Sequence, residues 1–295
     1  MRFVTFSTSA LPPRPGLLAG EGILPLPFAS LLELIAGGDE ALGRVRELPD
    51  KNRVPVGEAR LHAPILRPGT LRDGYAFENH VRTANANRGR EVPEEWYKFP
   101  IFYFTNPNNI FGPDEDIPCP PYTQALDYEL EIAAVIGKPG INLTAEQGPG
   151  HIFGYTVFND WSARDVQREE MKVSLGPAKG KDFASTLGPC IVTADELADR
   201  ATGRPGVYDL AMTARVNGVE RSRGNFKDMY WSFGDILARA SQSVMLYAGD
   251  VIGSGTVGTG CLLELTKGQG PWLRPGDLVE LEIERIGKLT NRVAA

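Results

Sequence analysis

Three cysteines and three histidines in 295 residues leave little room for two common kinds of cross-linked site. Cys119, Cys190 and Cys261 are odd in number and far apart, which fits reduced thiols better than a disulfide framework. No Cys/His spacing builds a zinc site. Lys/Arg runs are also missing, and 31 basic against 37 acidic residues give a net charge of -6. Binding nucleic acid needs a concentrated basic surface, so that class is set aside; an anionic small molecule then requires a local basic pocket. No apolar stretch approaches membrane-spanning length, and the opening "MRFVTFSTSALPPRPG" lacks the apolar core of an export signal, so a cytoplasmic protein without a membrane partner is expected. Collagen-like and solenoid repeats are absent too.

What is present is an ordinary globular composition, with 42% hydrophobic and 23% charged residues. The 33 glycines and 23 prolines are spread along the chain, which implies many turns between short strands and a β-rich, mixed α/β fold. "MRFVTFS" reads as an opening strand, and "ILPLPFASLLELIAGGDEALGRVREL" as two short helices parted by Gly37-Gly38. A boundary near residue 68 separates a small N-terminal region, 1–68, from a larger one, 69–295. The latter holds short apolar runs such as "FPIFYFTN", "LDYELEIAAVIG", "IFGYTVFN", "CLLELT" and "DLVELEIERIGKL", a hairpin at "VNG", and a helix over 231–241.

"LDYELEIAAVIG" raises the first chemical question. Read as one strand, it puts Asp127, Glu129 and Glu131 on a single face, where three carboxylates repel one another unless something positive answers them. "GYTVFNDWSARDVQ" reads as a strand running into a helix that Asp160 is placed to cap, with Asp160, Arg164 and Gln167 on one helical face. "LRDGYAFENHV" sets Asp73 and His80 seven residues apart, two turns if helical. Oxygen ligands from Asp73, Glu129, Glu131 and Asp160 suit a hard divalent cation, Mg²⁺, Mn²⁺ or Ca²⁺, and suit zinc poorly. "GPAKGKDFASTLGPC" is not a phosphate loop, because three residues stand between Gly176 and Gly180 and Asp182 follows Lys181; the small neighbours of Lys181 still allow a ligand to approach it closely. In "GDVIGSGTVGTG" the backbone amides around Thr256 are placed to meet an oxyanion. Glu264 lies in an apolar run and needs a partner if buried; His80 would serve.

Taken in order, "RDGYAFENH", "DYELEIAAVIG", "FNDWSARDVQ", "GKDFASTLGP" and "GDVIGSGTVGTG" resemble the fumarylacetoacetate hydrolase family over roughly residues 70–292. The resemblance implies a mixed β-roll or sandwich-like domain, usually dimeric, sometimes with a smaller N-terminal domain. It implies that Asp73, Glu129, Glu131 and Asp160 hold the metal, with Lys181 close behind and Asp127 in a supporting place. His80 and Glu264 match the family's catalytic pair, and Tyr75, Arg164, Gln167, Lys181 and Thr256 its substrate-gripping residues. One further arginine falls on Arg88 or Arg90, which flank the expected position in "NANRGR". Closure of the pocket is expected from Tyr75, Phe77, Phe102, Tyr103, Phe104 or Trp161.

The function so implied is hydrolysis of a carbon-carbon bond in a 2,4-diketo acid, either an acylpyruvate or a fumarylacetoacetate type. A water activated by His80, itself oriented by Glu264, attacks the distal carbonyl. Lys181, Gln167 and the amides near Thr256 meet the developing oxyanion, and Arg164 with Arg88 or Arg90 holds a carboxylate. The alternative is isomerisation, decarboxylation or hydration of a related 2-oxo acid. An inert binding protein is disfavoured, because an idle pocket has no need of so many buried charges.

Overall fold

"LEIAAVI", the strand Leu130–Ile136, is buried at every position. A run of this kind stays in register only if both of its faces are covered. In the computed structural model, which describes residues 1–295, they are covered by different cores. Leu130, Ile132, Ala134 and Ile136 point into the larger one, and Ala133 and Val135 into the smaller, as the two-residue period of a strand requires.

The strand sits inside a twelve-stranded mixed sheet. To one side come Ile152–Asp160, then Ser185–Thr193, then Arg2–Ser7, Arg14–Ala19, Gly22–Pro25 and Val54–Pro55; to the other, Val251–Gly253, Leu71–Gly74 and Phe102–Thr105. A five-stranded sheet, ordered Val219–Asn225, Ala211–Val216, Leu278–Ile283, Gly287–Val293 and Asp116–Ile117, lies against the first and shares its larger core through Met212, Ala214, Leu281, Ile283 and Leu289. The strand-rich, mixed α/β fold expected from composition is therefore present. Asn217 and Gly218 both have positive φ, 52° and 77°, and turn the expected hairpin between Ala211–Val216 and Val219–Asn225.

The two short helices are Leu31–Ala36 and Gly38–Glu47. They drop Leu31, Leu34, Ile35, Ala41 and Val45 onto the smaller core beside Phe3, Phe158 and Ile191. Ser30 caps the first by accepting from the Glu33 amide at 3.1 Å. Residues 1–68 also feed the main sheet, since Arg2–Ser7 pairs antiparallel with Ser185–Thr193 in the register Phe3↔Ile191. The helix expected near 231–241 runs Phe233–Ala240, with a capping box between Ser232 and Asp235. No helix is long and apolar enough to cross a membrane.

Two expectations need correction. "LDYELEIAAVIG" is not one strand: Leu126–Asp127 pairs with Ser162–Ala163, and the chain breaks before Leu130–Ile136. The break is held by the Glu129 amide donating to the Asn159 side chain at 2.9 Å and the Leu130 amide to the Gly260 carbonyl, also at 2.9 Å. "CLLELT" is a one-turn helix, Leu262–Leu265, rather than a strand. Its free amides at Leu262 and Leu263 donate to the Asp127 carboxylate at 2.8 and 3.0 Å, a long-range cap invisible to local periodicity.

Phe3 is fully buried where the first strand meets the rest of the sheet. Phe3→Ala is expected to destabilise the protein by about 3–5 kcal/mol, the usual range for such a truncation, measured by urea unfolding.

Candidate active site

The sheet order brings distant acids together. Glu129 and Glu131 stand at the start of Leu130–Ile136; Val251–Gly253 is its neighbour, with Ala133 opposite Gly253, and Leu71–Gly74 follows, with Gly253 opposite Asp73. A Cβ on Gly253 would collide with the Asp73 carboxylate and the Phe158 ring, so a bare backbone here lets Asp73 reach across toward Glu131. Carboxylate oxygens of Asp73, Glu129 and Glu131 lie within 4.8 Å of one another. Gly255, with φ of 79°, donates its amide to both Asp73 Oδ1 at 3.1 Å and Glu131 Oε2 at 3.0 Å. Any side chain there would strike the Gly74 carbonyl.

Asp160 closes the strand Ile152–Asp160, one residue beyond the Leu130↔Asn159 pair. Its Oδ2 accepts from Lys181 Nζ at 2.7 Å and from the Tyr103 hydroxyl, while Oδ1 is buried with no hydrogen-bond partner. Lys181 also donates to Glu129, and Arg164 holds Glu129 Oε1 at 2.8 Å and Asp127 Oδ2 at 2.8 Å. All seven charged side chains are buried.

Burial sets the electrostatics. It pushes the Asp73 carboxyl up to about 7, helped by the nearby Asp160 charge, and lifts Glu131 well above the usual carboxylate range, with Asp73 as the next cause. Burial raises Asp160 as well, though Lys181 pulls against it. Glu129 goes the other way: desolvation resists its ionisation, but Lys181 and then Arg164 outweigh it and hold the carboxyl below its ordinary value. Lys181 loses solvation too, yet Asp160 and Glu129 keep it above its ordinary value, so it stays a cation and does not serve as a base.

Five buried acids, Asp73, Glu129, Glu131, Asp160 and Asp127, thus face two buried cations, Lys181 and Arg164. The uncompensated negative charge, the oxygen-only donors and the orphaned Asp160 Oδ1 together fit a hard divalent cation. Asp73, Glu129 and Glu131 form the close group, and Asp160 joins it through the shared lysine.

A cavity of ≈ 270 Å³ opens on this cluster and is lined by Asp73, Glu129, Lys181, His80, Tyr75, Arg88, Arg164, Gln167 and Thr256 among others. His80 lies on the helix Glu78–Ala86, its Nδ1 2.8 Å from Glu264 Oε2 but not aligned for a good hydrogen bond. Glu264 also accepts from the Thr259 amide at 3.2 Å. The Tyr75 ring packs edge-on against His80, centroids 5.4 Å apart, and burial pushes its hydroxyl up to about 12. Arg164 Nη1 donates to Gln167 Oε1 at 3.1 Å. Of the two alternatives left open, Arg88 lines both this cavity and a neighbouring one, and Arg90 only the neighbour.

Several local expectations fail while the residues still meet. Asp160 does not cap a helix; it ends a strand, and Ala163 precedes the helix Arg164–Glu170, so Asp160, Arg164 and Gln167 share a site without sharing a helical face. Asp73 and His80 are likewise on a strand and a helix, joined by residues 75–77. The Gly255 amide is taken up by Asp73 and Glu131, which leaves it no free hydrogen for an oxyanion. Phe77 and Trp161 belong to the larger core, and Phe104 lies outside against Arg72; Tyr75, Phe102 and Tyr103 do line the cavity. Sequence reading missed Ile101, Met171, Pro177 and Leu263 in the lining, since nothing in their local pattern marks a pocket wall. It also missed the glycine at 253, whose proximity to Asp73 exists only across strands.

A buried acid cradle on a two-sheet frame opens on a cavity that also holds a histidine, a lysine and two arginines, which is the outline of an enzyme site. Residues 70–294 match the family model described as "Fumarylacetoacetate (FAA) hydrolase C-terminal", and the chain belongs to the fumarylacetoacetate hydrolase family, whose members include hydrolases and isomerases. The chain is 31% identical to the oxaloacetate tautomerase YisK of Bacillus subtilis (strain 168) over 280 residues, covering 90% of this chain and 86% of that protein. It is 33% identical to the mitochondrial oxaloacetate tautomerase FAHD2A of Bos taurus over 311 aligned positions, covering 99% and 91%. Among solved structures it resembles the fumarylacetoacetate hydrolase from psychrophilic Exiguobacterium antarcticum, with a TM-score of 0.80, 30% identity and coverage of 100% and 99%.

Because folded Asp73 keeps its proton up to about pH 7 while an unfolded aspartate releases it near 3.8, the folded state binds more protons across that window. This group's contribution to stability therefore falls as pH rises through the window. Metal-free protein is expected to show that loss in thermal melts from pH 5 to 8, and Mg²⁺ or Mn²⁺ should restore stability most at the alkaline end. Glu131→Gln removes one repelling charge and is expected to flatten the metal-free decline while weakening cation binding roughly tenfold or more, read by calorimetry.

Proposed function

We propose that the protein is a divalent-metal-dependent enzyme that moves a proton on a small 2-oxo acid, interconverting keto and enol forms of an oxaloacetate-like substrate. The observation that carries this reading is a single cavity lined at once by Asp73 and Glu129 of the acid cradle, His80, Lys181 and Arg88. The two relatives named oxaloacetate tautomerases, each matched over most of both chains, support the choice of reaction. Mg²⁺ or Mn²⁺ is the preferred cation, with Ca²⁺ also compatible with the oxygen donors. Three free cysteines agree with the reducing, cytoplasmic setting expected for the chain.

Asp73, Glu129, Glu131 and Asp160 would hold the cation, which when bound supplies Lewis acidity to the carbonyl of a 2-oxo acid. Lys181, kept charged by Glu129 and Asp160, offers a fixed positive end to oxygen on which negative charge develops. His80 is the group in the cavity suited to take a proton from carbon and return it to oxygen, and Glu264 Oε2 stands 2.8 Å from its Nδ1. Arg88 carries no carboxylate partner and is free to grip the substrate's carboxylate, whereas Arg164 is already engaged by Asp127 and Glu129 and mainly orients the cradle.

The second reading, hydrolysis of a carbon-carbon bond in a 2,4-diketo acid, is the one the sequence alone favours. The buried contact between His80 and Glu264 supports it, because the same pair would activate a water. The tautomerase reading is preferred since it needs no water site beyond the proton relay and agrees with the named relatives.

Metal-loaded protein is expected to accelerate the loss of enol-oxaloacetate absorbance, and His80→Ala to slow that reaction by about 10²–10⁴-fold while calorimetry shows cation binding intact. Full activity in the variant refutes the role of His80. Product analysis on acylpyruvates decides between the two readings: cleavage without any effect on oxaloacetate replaces tautomerisation with hydrolysis.

A further inference from the structure

Cys261 plays no part in the reaction proposed above, yet it is fully buried against the pair that does. It stands immediately before the one-turn helix Leu262–Leu265, in the position whose side chain normally caps the first amides. Here Asp127 has taken that duty, since its carboxylate accepts from the Leu262 and Leu263 amides, so the thiol is released from capping. It turns instead to Glu264 Oε2, 3.6 Å away. The same oxygen stands 2.8 Å from His80 Nδ1, and the donor atoms of His80, Cys261 and Glu264 all lie within 4.8 Å of one another.

The bland explanation is a positioned histidine with a thiol filling the space beside its glutamate. It accounts for the burial of Cys261 and for a weak S–H donor to Glu264. It leaves His80 Nδ1, on a side chain only 5% exposed, with no aligned hydrogen bond, a costly state for a buried polar atom. Nor is the thiol poised as a nucleophile or a redox sensor: burial, and then the Asp127 charge, lifts it well above its ordinary value and keeps it protonated. What the three groups share is a donor set of one nitrogen, one sulfur and one oxygen, unlike the oxygen-only cradle of Asp73, Glu129, Glu131 and Asp160.

We infer that His80, Cys261 and Glu264 form a second metal site, selective for Zn²⁺, and that its occupation switches the enzyme off by taking His80 out of proton transfer. Zinc bound by nitrogen, sulfur and oxygen at about 2.0–2.3 Å holds its ligands roughly 3.3–3.7 Å apart in a tetrahedron. The 3.6 Å between Cys261 and Glu264 already fits, and the His80–Glu264 contact has to open by roughly half an ångström. On binding, the S–H proton leaves to solvent and a sulfur–zinc bond replaces it. Thiolate and carboxylate then balance the charge of the ion, so the closed site is neutral and costs less to bury. Access is from the inner cavity, which His80 lines. Mg²⁺ and Mn²⁺ prefer the carboxylates of the cradle, so the two sites sort their ions by softness. His80 and Cys261 are far apart in the chain, which is why no Cys/His spacing in the sequence marks the site. Binding at this site is independent of the proposed reaction; the inhibition rests on that reading, through the role given to His80.

The test uses the Mg²⁺-loaded full chain with cobalt and zinc as probes. Co²⁺ reports its own ligands by absorption and is expected to give a thiolate-to-metal band in the near ultraviolet, which cobalt in the oxygen-only cradle does not. Cys261→Ser is expected to abolish that band, whereas the double variant Cys119→Ser/Cys190→Ser, which keeps Cys261 as its sole thiol, retains it. Zn²⁺ is expected to slow the loss of enol-oxaloacetate absorbance in the wild type, a chelator to restore the rate, and Cys261→Ser to need about tenfold or more zinc for the same slowing. Absence of the band from both the wild type and the double variant overturns the metal site, whether or not Cys261→Ser folds. Equal inhibition of the wild type and Cys261→Ser also overturns the inference, because zinc then acts by displacing Mg²⁺ from the cradle. Zinc bound through Cys261 with the rate unchanged overturns the inhibition together with the role of His80, and leaves the metal site standing. If zinc-free protein does not accelerate the enol reaction, the tautomerase reading fails by itself and the cobalt band still decides the site.

Discussion

Mutual repulsion among buried carboxylates is the constraint around which the rest of this protein is arranged. Asp73, Glu129, Glu131 and Asp160 lie where water cannot screen them, and each would be costly to ionise alone. Lys181 bridges Glu129 and Asp160, Arg164 bridges Glu129 and Asp127, and the Gly255 amide bridges Asp73 and Glu131. These contacts leave a deficit of positive charge on the Asp73–Glu131 side. There the carboxyls hold their protons longest, and there a cation gains most by entering.

The frame explains why such a cluster survives. Both faces of Leu130–Ile136 are packed, one into each hydrophobic core, so the glutamates at its start cannot swing out to solvent without dragging the central strand along. Gly253 and Gly255 remove the side chains that would otherwise separate the strands' functional groups. Asp127 shows how closely frame and site are joined: one carboxylate pairs with Arg164 and also caps the helix that carries Glu264. Rigid support of this kind holds reactive groups in place more closely than loops do.

Membership of the fumarylacetoacetate hydrolase family follows from residues 70–294 and does not by itself select a reaction. An acid cradle beside a lysine and a histidine serves any chemistry that passes through an enolate, whether a proton or a carbon-carbon bond moves. Selection then falls to what surrounds the cradle: a histidine backed by a glutamate, in the same cavity as Lys181 and Arg88.

By itself the sequence determined the material of the fold and the cast of the site. Alternating apolar runs broken by glycine and proline made the chain strand-rich, the 217–218 turn and a helix near 231–241 were legible from local chemistry, and the family resemblance singled out the acids, His80, Lys181 and Glu264. What it could not decide was their geometry, because local periodicity extends only a few residues while this site is assembled across strands. Asp160 reads as a helix cap until the strand Ile152–Asp160 runs its full length, and "CLLELT" reads as a strand until Asp127, more than a hundred residues earlier, supplies the cap that makes it a helix. Only the tertiary structure could place Asp73 opposite Gly253, leave Asp160 Oδ1 without a donor, and bring Cys261 and Glu264 beside His80. Each of these depends on which strands become neighbours, and burial of the two cores selects that pairing.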